Sequence, residues 1–137
     1  MKAITGLLTA AMLIGSAFGV AAEDSTPGDA AAGKKVFRKC AACHFYNKDR
    51  KKLGPHLIEI VGRKIGSVEN FKYSKSFKAI AEGDLVWDET LLDEYLSDPR
   101  AFTKKYGTGR GSMVLKLKDA QDRADVIAFL KEEAKAQ

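Results

Sequence analysis

Two cysteines and a histidine stand together in Cys40-Ala41-Ala42-Cys43-His44, and the chain has no other cysteine. At that spacing two thiols add across the vinyl groups of one haem, and the histidine that follows lies under the iron. A spacer of two residues lets both thiols reach one porphyrin edge from a single helical turn. Three other chemistries use similar residues. A thioredoxin-like dithiol wants a βαβ setting, whereas the flanks here read as helical. A structural zinc site wants four ligands; the chain offers its two cysteines and two histidines, the second being His56 after Gly54-Pro55. A plain disulfide leaves His44 without a role.

A sixth iron ligand follows by elimination. Met1 and Met12 fall in an N-terminal leader, so Met113 is the one thioether of the remaining chain. It ends the glycine-rich run Tyr106-Gly107-Thr108-Gly109-Arg110-Gly111-Ser112. Glycines suit a loop that must come close to a cofactor. His56 competes for the position, followed by a lysine or an open site, and packing is the alternative role for Met113.

The elements that must place these residues read as helix, loop, helix, loop, helix. Thr26 and Pro27 open a helix expected to run through Cys43, with Ala30, Ala31, Gly33, Val36 and Phe37 on its small and apolar face. Charged text broken by Gly54-Pro55, Gly62 and Gly66 makes 47–67 a loop. A short amphipathic helix is expected over Thr90 to Ser97, stopped by Asp98-Pro99, and a longer one over Asp119 to Ala134. No alternating run or hairpin signal competes, which makes the chain all-α, with loops around a cofactor that completes the core.

Residues 1–22 read as an export signal. Lys2 supplies the positive end, Ala3 to Phe18 the apolar run and Val20-Ala21-Ala22 the small-residue cleavage site. Cleavage near Ala22 leaves residues 23–137 as one domain in the periplasm; the alternative is an uncleaved anchor, for which the run is short and rich in alanine and glycine. The net charge of the full chain is +5 and drops by one with Lys2. Its distribution is more informative. Lys34, Lys35, Arg38 and Lys39 precede the cysteine motif, Lys48, Arg50, Lys51 and Lys52 follow it, and Lys104, Lys105 and Arg110 come later. Such runs fit a docking ring for an acidic partner; no nucleic-acid motif accompanies them.

Taken in order, these motifs make the sequence similar to a known family. Gly33-Lys34-Lys35-Val36-Phe37 leads into the cysteine motif; then come Leu53-Gly54-Pro55, Gly62-Arg63-Lys64-Ile65-Gly66, Phe71-Lys72-Tyr73-Ser74, Trp87, Tyr95-Leu96, Pro99, Met113 and Arg123 to Leu130. From about Gly28 to Lys135 the chain resembles the class I c-type cytochromes of the bacterial cytochrome c2 type, which are also close to mitochondrial cytochrome c.

The resemblance implies a cytochrome c fold, with three main helices and long loops around one covalent haem c. It implies that Cys40 and Cys43 attach the haem and that His44 and Met113 ligate its iron. Pro55 would accept the His44 Nδ1–H, Arg63, Tyr73 and Trp87 would bind the propionates, and Tyr95 would hydrogen-bond near the Met113 sulfur. Gly33 and Phe37 would cross the last helix at Val126 and Phe129. The implied activity is one-electron transfer by a soluble, monomeric, non-enzymatic carrier, from the cytochrome bc1 complex to a terminal oxidase (cytochrome c oxidase) or a photosynthetic reaction centre. A second reading is a ligand-binding or peroxidatic haem protein with a displaceable Met113. Two departures stand out: Pro99 to Met113 is longer than in mitochondrial cytochrome c, and Phe77 stands where many relatives carry an asparagine.

Overall fold

The computed structural model describes residues 26–137, so the leader lies outside the described residues. Five helices follow in order: α1 Ala30–Phe37, α2 Lys75–Ala81, α3 Glu89–Ser97, α4 Pro99–Tyr106 and α5 Ala120–Glu133. The chain between α1 and α2 is irregular, as its glycines and charges predict. Among the described residues, sheet-like pairing is confined to one antiparallel bridge between Lys64 and Val86. The fold is all-α.

Helix α1 starts later and ends earlier than the sequence suggests. Asp29, rather than Thr26, caps it, its carboxylate accepting the N–H groups of Ala31 at 2.8 Å and Ala32 at 3.4 Å. Beyond Phe37 the chain tightens into turns: Lys39 N–H bonds to the Val36 carbonyl at 3.0 Å and Cys40 N–H to the Phe37 carbonyl at 2.8 Å. The two remaining expected helices fall within a residue of their bounds, each capped by an aspartate, Asp88 for α3 and Asp119 for α5.

Helices α2 and α4 were not expected. Ser74 caps α2 through the Phe77 N–H. Asp98 ends α3 and also caps α4, accepting from Arg100 and Ala101 at 3.1 Å each, with Pro99 in the first turn. The proline that terminates one helix therefore opens the next, its fixed φ and missing N–H being harmless there.

The crossing of α1 over α5 organises the core. A Cβ on Gly33 would lie 1.9 Å from the Asp125 carbonyl oxygen and 2.8 Å from the Phe129 Cβ, so only glycine lets the backbones approach so closely. Phe37 packs on Phe129 at 5.5 Å between ring centres, and Tyr46 touches both rings. Buried Asp125 ties the ends of the domain together, accepting the Asp29 N–H at 2.8 Å. Helices α2 to α4 enclose the other half of the core, where Phe77, Trp87, Tyr95 and Phe102 pack as one aromatic cluster.

Candidate functional site: a thiol and imidazole turn

The turn carrying the cysteines is closed by one acceptor. The Cys40 carbonyl takes the N–H groups of both Cys43 and His44 at 3.0 Å each, so two thiols and an imidazole leave a single helical turn. Both thiols are free, Cys40 buried and Cys43 half-buried. Burial pushes the Cys40 thiol up to about 11, although nearby Lys39 opposes the shift. A thiol held protonated is a poor disulfide-exchange nucleophile. Among the described residues no cluster of three or more metal-ligating side chains occurs. The zinc alternative therefore lacks the further ligands it needs.

The His44 ring is fixed from two sides. Its Nδ1 lies 2.7 Å from the Pro55 carbonyl oxygen, which can only accept, so the proton sits on Nδ1 and Nε2 is left as a lone-pair donor. The ring also lies against Gly54, where a Cβ would come within 2.2 Å of Cε1. Gly54 is itself held, its N–H donating to the Cys43 carbonyl at 2.8 Å. Burial lowers the His44 pKa, partly offset by the Pro55 bond, and so favours the neutral ring.

His56, the competing ligand in the sequence, has its ring engaged elsewhere. Its Nδ1 accepts the Ile58 N–H at 3.3 Å and its Nε2 faces Asp49 at 3.4 Å. Arg63 reaches into the same loop, donating to the Ile58 carbonyl at 2.5 Å and the His56 carbonyl at 3.0 Å. The Arg63 Nε is buried with no partner among the described residues. Leaving a charged donor unmatched costs about 1–3 kcal/mol or more, which an acidic group of a bound molecule would recover.

Three of the other expected residues converge. Arg63 and Trp87 pair through the main chain at 2.9 Å. Tyr73 stacks on Phe77 at 5.9 Å, and Phe77 meets Trp87 and Tyr95 in turn. The Tyr73 hydroxyl accepts the Val68 N–H at 3.1 Å, and burial raises its pKa. Burial holds the Tyr95 hydroxyl firmly protonated. Phe77 thus fills the centre of the cluster where a polar side chain would have needed partners. Met113 is half-buried against the core. Among the described residues no hydrogen bond joins it to Tyr95.

Two of the glycines before Met113 also make close approaches within the protein. A Cβ on Gly107 would lie 2.3 Å from the Ser76 Oγ, and one on Gly111 2.8 Å from the Thr103 Cγ2. They permit close approach to two buried hydroxyls, Ser76 on α2 and Thr103 on α4. Sequence reading passed over both, because lone hydroxyls in short helices carry no motif.

All the basic residues of the three runs are exposed. They are not equally available. Lys39 pairs with Asp122 at 2.8 Å and Lys105 with Glu94 at 2.8 Å, whereas Lys48, Arg50 and Lys104 have no ion-pair partner among the described residues.

A helical shell that presents two free thiols and an oriented, neutral imidazole on one turn fits the attachment of a macrocycle through both thiols. The model of the cytochrome c family matches residues 30–133. The chain is 40% identical over 111 residues to a cytochrome c2 of Rhodopseudomonas palustris, covering 74% of this chain and 96% of that protein. It is 43% identical over 107 residues to cytochrome c-550 of Novispirillum itersonii, covering 75% and 96%. Among solved structures, cytochrome c2 of Paracoccus denitrificans superposes with a TM-score of 0.72 at 39% identity, covering 78% of this chain and 97% of that one. The chain belongs to the cytochrome c family, within its class I bacterial cytochrome c2 type. It is a haem-containing electron carrier, and its cofactor is one covalently bound haem c with its iron. The free thiols, the neutral His44 ring and the unmatched Arg63 Nε suit that group.

Proposed function

We propose that this chain is a soluble, monomeric periplasmic carrier of single electrons, its one low-spin haem c joined to Cys40 and Cys43 and ligated by His44 and Met113. The observation that carries the reading is the His44 bond to the Pro55 carbonyl at 2.7 Å, on the same turn as the thiols. That bond sets the tautomer, aims Nε2 and raises its basicity as a ligand. The haem iron, when bound, supplies the one-electron chemistry. Met113 offers a soft thioether that favours the ferrous state and raises the potential relative to a second nitrogen ligand. Arg63, with Tyr73 and Trp87 beside it, provides the donors and positive charge that two buried propionates require. Tyr95, a neutral phenol, would lie near the Met113 sulfur. With His44 and Met113 both supplied by this chain to the iron, electron exchange would need little rearrangement, which distinguishes a carrier from an enzyme.

Nine of the eleven basic residues in the three runs, Lys48, Arg50 and Lys104 among them, have no ion-pair partner among the described residues and form the docking charge. The partners they fit are acidic faces of membrane redox complexes, with the cytochrome bc1 complex as donor and a terminal oxidase or photosynthetic reaction centre as acceptor. Association is then weak, fast and salt-sensitive. Residues 1–22 deliver the chain to the periplasm and are removed near Ala22.

Absorption spectra of the exported protein in both oxidation states test the core of this reading. A weak long-wavelength band from sulfur on ferric iron is expected, together with its loss in Met113→Ala. Haem without that band in the native protein overturns the Met113 assignment, and protein without haem overturns the whole.

A further inference from the structure

The segment that delivers Met113 is a strap between two anchors. On one side, Gly111 N–H donates to the Thr103 Oγ1 at 3.0 Å. On the other, Leu117 N–H donates to the Leu96 carbonyl at 2.9 Å. Among the described residues, the backbone of 112–116 makes no hydrogen bond between these points. The position of Met113 therefore depends on the anchors.

The first anchor is built from two hydroxyls that are almost completely inaccessible, Thr103 at 0% and Ser76 at 2% exposure. Ser76 Oγ accepts the Thr108 N–H at 3.2 Å and lies 3.0 Å from both the Gly109 and Thr103 carbonyl oxygens, which share its single proton. Thr103 Oγ1 donates to the Pro99 carbonyl at 3.0 Å while accepting from Gly111, and the Thr103 carbonyl takes the Gly107 N–H at 3.1 Å. Four consecutive-to-near backbone groups of a loop are thus held by one side chain from α2 and one residue of α4. Ser76 is also the neighbour of Phe77, at the centre of the aromatic cluster.

We propose that Ser76 and Thr103 are positioning residues for Met113: a buried hydroxyl latch that keeps the strap closed and so sets how readily an external ligand replaces the thioether on iron. The proposal rests on Met113 being the axial ligand. Loss of the Ser76 hydroxyl strands the Thr108 N–H and the Gly109 carbonyl; loss of the Thr103 hydroxyl strands the Gly111 N–H. A buried polar group without a partner gains by reaching water, and here it does so by lifting the strap. The latch is local, so its opening is a sub-global event that need not unfold α1 and α5.

Imidazole binding to the ferric holoprotein, followed by loss of the sulfur-to-iron band, reads the strap directly; denaturant unfolding of the same samples reads global stability. Ser76→Ala and Thr103→Val, the latter preserving volume, should each raise imidazole affinity about fivefold or more, in line with at least one unmet buried hydrogen bond. Thr103→Ser, which keeps the hydroxyl, should restore native affinity. Met113→Ala calibrates the assay by removing the competing ligand. If Met113→Ala binds imidazole tightly while Ser76→Ala and Thr103→Val match the native protein, the latch is overturned and the axial assignment stands. If Met113→Ala itself gains no affinity, the axial assignment fails and the latch falls with it. Lowered unfolding stability in the hydroxyl variants without a change in imidazole affinity also overturns the latch, since the hydroxyls would then only stabilise the fold.

Discussion

The two sides of the cofactor site are built in opposite ways. Around His44, every restraint comes from residues close in sequence: the Cys40 carbonyl closes the turn, and Gly54 and Pro55 hold the ring. Around Met113, the restraints come from three separate helices, α2, α3 and α4: Thr103 is near in sequence, but the Ser76 hydroxyl lies 33 residues from Gly109 and the Leu96 carbonyl is also remote. The first arrangement is rigid by construction. The second is rigid only while several elements remain packed, so the Met113 side is where ligand exchange and adjustment of the iron should begin.

That contrast can be broken from either side. The largest effect is expected from Phe102→Ala, which empties a fully buried site against Trp87, Tyr95 and Tyr106. It should cost about 4 kcal/mol in denaturant unfolding and also weaken the sulfur-to-iron band, because α4 carries the first anchor of the strap. Gly33→Ala should cost about 3 kcal/mol by forcing α1 off α5, yet leave that band intact in the molecules still folded. Gly54→Ala pushes a methyl onto the His44 ring; about 2 kcal/mol of stability should be lost, with a change in the haem spectrum that Gly33→Ala does not give.

Smaller effects sharpen the comparison. Glu94 on α3 accepts from Lys105 and from the Tyr106 hydroxyl at the end of α4, and these bonds hold its pKa below the usual carboxylate value of 4.5. A carboxylate with a depressed folded pKa stabilises above its unfolded value and loses that contribution as pH falls through the folded one. Glu94→Gln should therefore flatten the acid limb of a stability-versus-pH profile, and should leave the neutral-pH rate of imidazole binding nearly native. Smallest of all, Lys104→Glu should slow reaction with an acidic redox partner roughly two- to threefold at low salt, fading as salt rises. Lys39→Glu should do less, because Asp122 already offsets that charge.

Legibility in the sequence follows the same division. The cysteine motif, the glycine at the α1 crossing and the two longer amphipathic helices are written locally, in spacing and periodicity. Helices α2 and α4 were missed for physical reasons. Seven residues give α2 too little periodicity to register, and the proline at the head of α4 reads equally as a stop until Asp98 is seen to cap in both directions. The glycines before Met113 were legible as a close approach, but not to what: their neighbours Ser76 and Thr103 belong to the elements that went unread. Thr26 lost the capping role to Asp29 because α1 begins at Ala30, which leaves the Asp29 carboxylate beside the first free N–H groups.

The bond from Asp29 to Asp125 joins positions 96 residues apart. Closing a flexible loop of that length costs about 4 kcal/mol of chain entropy, and among the described residues α1 packs on no helix other than α5, although α5 also rests on α3. The N-terminal helix therefore has no helix to dock on until the last one has been made. In a growing chain, Cys40 and Cys43, the proposed points of haem attachment, would stay within reach of the attaching machinery until the domain shuts.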